Sequence, residues 1–439
     1  MRITFVHISD QVHYEPETAQ LSGVLKDRNW IPWHIRTDFS TDRDSFLAVV
    51  RRQESVAVAF RVTHQTREIV EHLSAAVGEQ PEQPVVFFYG PLCRSHPEEV
   101  AALLDRAVVL TGDGAVGLEE IASVWPAGPF PMQPPKGCWY AHGGEVVRGE
   151  DSGPCDLNEI PKPDLTVFGG DRIFKRGIGS SLFGELKVLP FFAGMGSPSG
   201  DSFNETLAGF SNPTAYEPRL IDIAEVIFRF RALGPRVRHF EFWDRECGWD
   251  LDHFSQLLPL LEKRQRKKTY SLRVLAETFQ PELLDVVNPE RCRRVITEFD
   301  AATEELHAKL PGSQSPSAVA AVVEATRAKG IDPALLISVG LPHETRADVE
   351  AKIAFVREHE VKRVRFAPFE PRFGHPIHDV VREAGLFEGR GDDWNREVFQ
   401  PLVQDSLPAE DWHHCSQAAL NLVAELQLNH PARFEPGLD

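Results

Sequence analysis

Leu189-Pro-Phe-Phe-Ala-Gly-Met-Gly-Ser-Pro-Ser-Gly-Asp-Ser-Phe-Asn204 starts as an apolar strand and breaks into a loop of glycine, serine and proline. The strand half, Lys187 to Phe192, opens a series in which short apolar runs alternate with amphipathic stretches. Val237 to Trp243, Tyr270 to Ala276, Arg294 to Phe299, Leu335 to Val339 and Val364 to Ala367 read as the strands that follow. Helices are expected between them at Leu220 to Leu233, Phe254 to Glu262, Pro316 to Lys329 and Arg346 to His359. Strands alternating with helices make a parallel sheet. Six such units predict a partial TIM-type (βα)6 barrel, which places its chemistry at the carboxyl ends of the strands. Those ends carry Asp244, Glu277, Asp300, Glu344 and Glu370. Each carboxylate alone also suits a helix N-cap or first turn; as a convergent set they make an acidic pocket rim. In the loop half, Ser197, Asp201 and Asn204 stand at i, i+4 and i+7. One formal charge among three oxygen ligands is thin for a hard divalent ion, so a hydrogen-bonded loop is the stronger reading.

Upstream lies a second series of the same kind. Ile3 to Ile8, Ile31 to Thr37, Val56 to Val62, Val85 to Phe88 and Ala107 to Leu110 read as strands. Helices are expected at Glu17 to Arg28, Arg43 to Arg52, Thr66 to Val77 and Pro97 to Asp105. This predicts an α/β, doubly wound, flavodoxin-like domain over residues 1–125, with its ligand at the carboxyl ends of the strands. Small residues punctuate those ends: Thr63, Gly90 and Gly112-Asp113-Gly114. They let a large ligand approach the backbone closely, and they equally suit plain glycine turns. Residues 126–184 are rich in proline and glycine and read as an extended linker with local turns. The barrel series occupies 185–390. A C-terminal extension, 391–439, holds one amphipathic helix from Ser406 or Asp411 to Leu428.

Four segments in order resemble one family. Asp156-Leu-Asn-Glu-Ile-Pro-Lys-Pro-Asp164 resembles the linker from a cobalamin-binding domain into a radical SAM barrel. Arg238-His-Phe-Glu-Phe-Trp-Asp244 is similar to the family's second barrel strand, and Ile337-Ser-Val-Gly340-Leu-Pro-His-Glu344-Thr to its strand and turn bordering adenine. Pro368-Phe-Glu-Pro-Arg-Phe-Gly-His-Pro-Ile377 resembles its proline-rich segment. By this resemblance the chain is identified as a member of the cobalamin-binding radical SAM superfamily. Ser197, Asp201 and Asn204 then stand where that family carries the cysteines of CxxxCxxC. Soft thiolates are what iron–sulfur clusters select, and Cys93, Cys138, Cys155, Cys247, Cys292 and Cys415 are scattered singly. The expectation is a protein with no iron–sulfur cluster.

The resemblance implies cobalamin at Thr63, Gly90, Gly112, Asp113 and Gly114. His13, in Ser9-Asp10-Gln-Val-His13, stands near the position of a cobalt-ligating histidine but at a different spacing, and a plain loop histidine fits it as well. It also implies S-adenosylmethionine (SAM) at Asp300, Gly340 and Glu344, with Asp300 at the place of a ribose-binding acid and the acidic rim suiting a sulfonium. Asp244, Glu277 or Glu370 would act as general base. The implied activity is non-radical methyl or group transfer on a small-molecule, natural-product-type substrate, with an external reductant or partner enzyme. Two alternatives stay open: a cobalamin-dependent rearrangement or cyclisation without SAM, and a catalytically silent scaffold beside an active radical SAM enzyme.

Charge and composition narrow the partners. The 439 residues carry 65 acidic against 47 basic side chains, a net charge of −18, which speaks against a nucleic-acid surface. The basic run Lys263-Arg-Gln-Arg-Lys-Lys268 fits a solvated helix terminus, where cations complement the helix dipole. Apolar runs are strand-sized, short of the ~20 residues of a membrane span, so no membrane partner is expected. The apolar start at Ile3 lacks signal-peptide character, and sparse unpaired cysteines fit a cytoplasmic protein. Trp243 and Trp249 flank Asp244 and suit core packing or an apolar ligand wall. His375, His378, His413 and His414 show no metal-ligand spacing.

Overall fold

A computed structural model of the chain describes residues 1–8, 15–63, 65–125, 130–169, 182–183, 188–208, 216–232, 239–264, 268–372, 375–388, 398–399 and 406–429. They fall into two compact units, Met1–Ile178 with Thr214–Arg219, and Gly179–Pro213 with Leu220–Asp439.

The first unit is a seven-stranded sheet. Its strands are β1 (Arg2–Ile8), β2 (Ile31–Thr37), β3 (Ala57–Arg61), β4 (Val85–Tyr89), β5 (Ala107–Leu110), β6 (Cys138–His142) and β7 (Glu145–Arg148). The order is β2-β1-β3-β4-β5-β6-β7, parallel through β5 and antiparallel beyond. Strands covered on both faces read as continuous apolar runs. Ile3, Phe5, Ala59, Phe87 and Val108 accordingly bury against Leu21, Leu25, Leu118 and Ile121 of the helices Pro16–Asp27 and Ala115–Val124. The five parallel strands and their alternating helices match the sequence reading.

Within the span 126–184 expected as a linker, the described residues 130–169 carry more than local turns. Cys138–Arg148 forms a hairpin that extends the sheet, and its turn is Gly143-Gly144, both at positive φ, as a two-residue hairpin turn demands. Further on, Asp164 docks on the helix Pro16–Asp27. Its amide donates to Ala19 O at 2.8 Å, and its carboxylate accepts from Ser22 Oγ at 2.7 Å and Lys26 Nζ at 2.9 Å. Gly23 admits this approach, since a Cβ there would lie 2.1 Å from Lys162 O. Proline and glycine content therefore marked turns and a close crossing, both built into the unit.

The second unit continues the strand count with β8 (Val188–Phe191) and the two-residue β9 (Gly194–Met195). After β10 (Arg219–Leu220), at the boundary of the two units, it resumes with β11 (His239–Phe242), β12 (Thr269–Val274), β13 (Cys292–Phe299), β14 (Asp332–Val339) and β15 (Arg363–Pro368). β8, β11, β12, β13, β14 and β15 form one parallel sheet in chain order, the partial barrel expected. Side chains alternate along each strand. On β13, Phe299 packs against Phe355 of the helix Arg346–Glu358 with ring centroids 4.6 Å apart, while Glu298 takes the opposite face. The helix Ala409–Asn429 buries Cys415, Ala419 and Leu422. No helix of the described residues is long and apolar enough to cross a membrane.

Candidate functional site

In the first unit, the loops after β3, β4 and β5 end in residues with little or no side chain. Thr63 closes a turn with Thr66: its amide donates to Thr66 Oγ1 at 3.0 Å, and the Thr66 amide donates back to Thr63 Oγ1 at 3.2 Å. Gly90 has φ +113°, and a Cβ there would lie 2.9 Å from Val62 O. Gly112 and Gly114 also have positive φ, and Gly114 precedes the helix Ala115–Val124. A Cβ on Gly112 would meet Tyr216 Oη at 2.8 Å and Ser152 Oγ at 2.9 Å, whereas one on Gly114 would meet nothing nearer than Leu21 at 3.6 Å. Asp113 is buried and committed: Arg219 Nη2 donates to it at 2.5 Å and Cys155 Sγ at 3.1 Å. Burial, then the Asp113 charge, push the Cys155 thiol up to about 12. His13 lies outside the described residues.

The same unit holds a polar cluster that sequence reasoning missed. Glu15 caps the helix Pro16–Asp27 through the Thr18 amide at 2.5 Å and also accepts from Thr18 Oγ1, so Tyr89 Oη donates to Thr18 Oγ1 at 2.6 Å. Arg94 donates to Glu17 at 2.6 Å, and Arg61 lies 3.4 Å from Glu15. Burial pushes the Tyr89 phenol well up, with Glu15 adding to it. Arg61 and Tyr89 end β3 and β4, so the signal was a polar residue closing an apolar run.

In the second unit, each side chain of the trio in the loop after β8 reaches a different part of the barrel. Ser197 Oγ donates to Glu246, in the loop after β11, at 2.7 Å, and the Ser199 amide donates to the same oxygen at 3.2 Å. Asp201 accepts from Arg372, beyond β15, at 2.7 Å. Asn204 Nδ2 donates to Ser338 Oγ, on β14, at 3.1 Å. Gly200 O and Ser202 Oγ add bonds to Arg245 at 2.9 Å and to Glu298 at 3.3 Å. The loop is stitched to β11, β13, β14 and β15 by protein groups.

Beneath it lies a fully buried ionic centre. Glu298 accepts two parallel bonds from Arg245, both 2.9 Å, and one from Arg273 at 2.6 Å. Burial alone would raise this carboxyl; the two guanidinium charges outweigh it and hold it down at about 2. Glu298 stands two residues before Asp300, so the period of two places both on one face. That spacing was the signal that could have found it.

Asp300 is also fully buried, accepting from Ser338 Oγ at 2.7 Å and from the Gln314 amide at 3.4 Å. Burial first and the Glu298 charge second raise its carboxyl to about 7, against the Ser338 bond, Lys352 and Arg245. Gln314 Oε1 accepts from the Glu277 amide at 3.0 Å, and Glu277 accepts from the Ser315 amide at 2.7 Å. Although burial opposes it, the Ser315 bonds hold Glu277 below its usual value. Glu370 joins at the far end, its amide donating to Asn204 Oδ1 at 3.3 Å. Ser338 and Gln314, neither singled out by the sequence, thus link Glu277, Asp300, Asn204 and Glu370 into one network.

Asp244 stands apart from that network. It accepts from the Ala193 amide at 2.8 and 3.1 Å, and burial raises it to about 7 against those bonds. Glu344 is spent on its own turn: it accepts from the amides of Gly340 at 2.5 Å and Leu341 at 3.1 Å and pairs with buried Lys352, whose Nζ also donates to Ser338 O at 2.7 Å. The turn consumes both the Gly340 amide and the Glu344 carboxylate. Trp243 is core: it is 1 % exposed and donates to Glu241 at 2.9 Å. No group of three or more His, Cys, Asp or Glu able to hold a metal ion occurs among the described residues.

The fold has solved counterparts. The chain is similar to the radical S-adenosylmethionine methyltransferase TsrM from Kitasatospora setae with cobalamin and a [4Fe-4S] cluster bound (TM-score 0.65, 15% identity, 96% of this chain and 88% of that one). It is also similar to the cobalamin-dependent S-adenosylmethionine radical enzyme OxsB with aqua-cobalamin and S-adenosylmethionine bound (TM-score 0.70, 11% identity, 97% and 67%). TsrM with tryptophan and the analogue aza-SAM matches at TM-score 0.59, 16% identity, over 83% and 72%. No family model matches the chain. No curated protein matches it. At these identities the likeness shows the fold.

Proposed function

We propose that this chain is a cobalamin-dependent group-transfer enzyme of the radical SAM-like superfamily, most simply a methyltransferase on a small molecule, that works without an iron–sulfur cluster. The observation that carries the reading is the stitched loop. Ser197, Asp201 and Asn204 offer hydroxyl, carboxylate and amide where a cluster needs thiolate, and each is already bound to a protein partner. The cluster does not fit, and no step runs through it.

Cobalamin fits better. Thr63, Gly90 and Gly114 leave the ends of β3, β4 and β5 low, which suits a broad ligand lying on backbone, while Tyr216 and Ser152 cover the Gly112 side. Cobalamin, when bound, supplies a cobalt able to carry a transferable carbon group. None of the three residues expected to meet SAM is open as the structure stands: Asp300 is buried on Ser338 and Gln314, and Gly340 and Glu344 are closed on each other.

Of the expected bases, Asp244, raised to about 7 by burial, is better tuned for general-base work than Glu277, which is held low, since a catalytic group serves best with its pKa near the working pH. The external reductant remains part of the proposal.

The test is anaerobic incubation of purified protein with hydroxocobalamin, a chemical reductant and methyl-labelled SAM, followed by desalting. Label and corrin bands retained on the protein support the reading. Corrin retained without label supports the rearrangement reading, and loss of both leaves the silent scaffold.

A further inference from the structure

Asn204 has a bonding pattern that fixes more than its loop. Its Oδ1 accepts from two backbone amides, Thr206 at 3.1 Å and Glu370 at 3.3 Å, so the amide cannot turn over without confronting those donors with its own NH2. Its Nδ2 is therefore the group facing Ser338 Oγ at 3.1 Å. A serine hydroxyl has one proton. With Asn204 donating into the oxygen, that proton goes to Asp300 Oδ1 at 2.7 Å. Asn204, Ser338 and Asp300 are all 0 % exposed, so water does not compete for these bonds.

We propose that Asn204 is a positioning residue for Asp300: by holding Ser338 as a one-way donor, it sets the proton affinity of this fully buried network acid. The inference goes beyond the group-transfer reading and gives the third position of the loop a task beyond closing it.

The charges facing Asp300 act from every side. Glu298 lies on the same strand, with Arg245 from the loop after β11 and Arg273 from β12 on its carboxylate. Lys352 faces from the helix Arg346–Glu358, paired with Glu344. Glu277 lies beyond Gln314, and Asp201 with Arg372 lies in the loop above. Burial and Glu298 favour the protonated acid; the Ser338 bond, Lys352 and Arg245 favour the anion. Of the groups favouring the anion, the Ser338 bond is the one that depends on an orientable hydrogen, and Asn204 orients it.

The experiment is a pH titration of the protonated-carboxyl infrared band, assigned to Asp300 by its loss in Asp300→Asn. The wild type is compared with Ser338→Ala, Ser338→Thr, Asn204→Leu and Asn204→Ser. Expected are a midpoint raised by at least about one unit in Ser338→Ala and in whichever Asn204 variant folds, and an unmoved midpoint in Ser338→Thr, which keeps the hydroxyl. A Ser338→Ala midpoint equal to wild type overturns the inference. So does a shifted Ser338→Ala beside an unshifted Asn204 variant, because Asn204 would then orient nothing. The readout needs neither corrin nor turnover, so failure of the group-transfer reading leaves it intact.

Discussion

At the carboxyl ends of β3, β4 and β5 the loop tips are Thr63, Gly90 and Gly112 to Gly114. At the carboxyl ends of β11 to β14 the tips are Asp244, Glu277, Asp300 and Glu344, set among Arg245, Arg273 and Lys352. Both sheets are parallel over these strands, and folds of this kind bind ligand at this edge. The first builds its edge from backbone, tuned by sterics, and the second from ionisable side chains, tuned by burial and charge. Substitutions should therefore fail differently in the two places: by strain in the first unit, by unpaired charge and displaced protons in the second.

The largest effect belongs to Glu298→Ala. It leaves Arg245 and Arg273 buried without their carboxylate and should cost about 3–5 kcal/mol, measured as a lowered urea midpoint; the pair Glu298→Ala with Arg273→Met should recover part of that. A loss within experimental error would mean water reaches the centre and the dry ionic account is wrong.

Gly90→Ala comes next, at about 1–3 kcal/mol. Its φ of +113° and the Val62 carbonyl 2.9 Å from a Cβ leave little room to relax. Gly143→Ala, also at positive φ but with nothing within 4 Å, should cost about 1 kcal/mol, which isolates the close approach from the backbone preference.

The pH dependence of Asp300→Asn sharpens the other side. A carboxyl raised from its ordinary 3.8 to about 7 by burial and Glu298 favours the folded state fully below pH ~4, and that contribution is lost as pH rises through 7. Relative to Asp300→Asn, the wild type should lose at least about 1 kcal/mol of stability between pH 4 and 7, read from paired denaturation curves. Parallel curves across that window would remove the raised carboxyl. Smallest is Thr63→Ala, which breaks the turn with Thr66 for about 0.5–1 kcal/mol.

Much of this was legible in the sequence, because strands buried on both faces and amphipathic helices leave strong periodic signals. The eleven parallel strands of the two sheets among the described residues were all anticipated, and their ends marked the acids. Partner choice was not legible. Nothing local says that Glu344 folds back on the Gly340 amide, that Ser338 joins Asn204 to Asp300, or that Asp113 pairs with Arg219 106 residues away. Hydrogen-bond partners are set by tertiary register, and a carboxylate that caps its own turn looks in sequence like one that waits for a ligand. The hairpin Cys138–Arg148 was missed because its proline and glycine neighbours mask two short strands, and the docking of Asp164 because one polar anchor leaves no periodic trace.

The central claim is that the loop Ser197–Asn204 is held by protein bonds in place of a cluster. Its most direct measurement is iron and acid-labile sulfide per chain after anaerobic reconstitution with iron, sulfide and hydroxocobalamin, with corrin absorbance read on the same desalted sample. The account predicts retained corrin with iron and sulfide at background. About four irons and four sulfides per chain, lost together on Ser197→Ala, Asp201→Ala or Asn204→Ala, would contradict it.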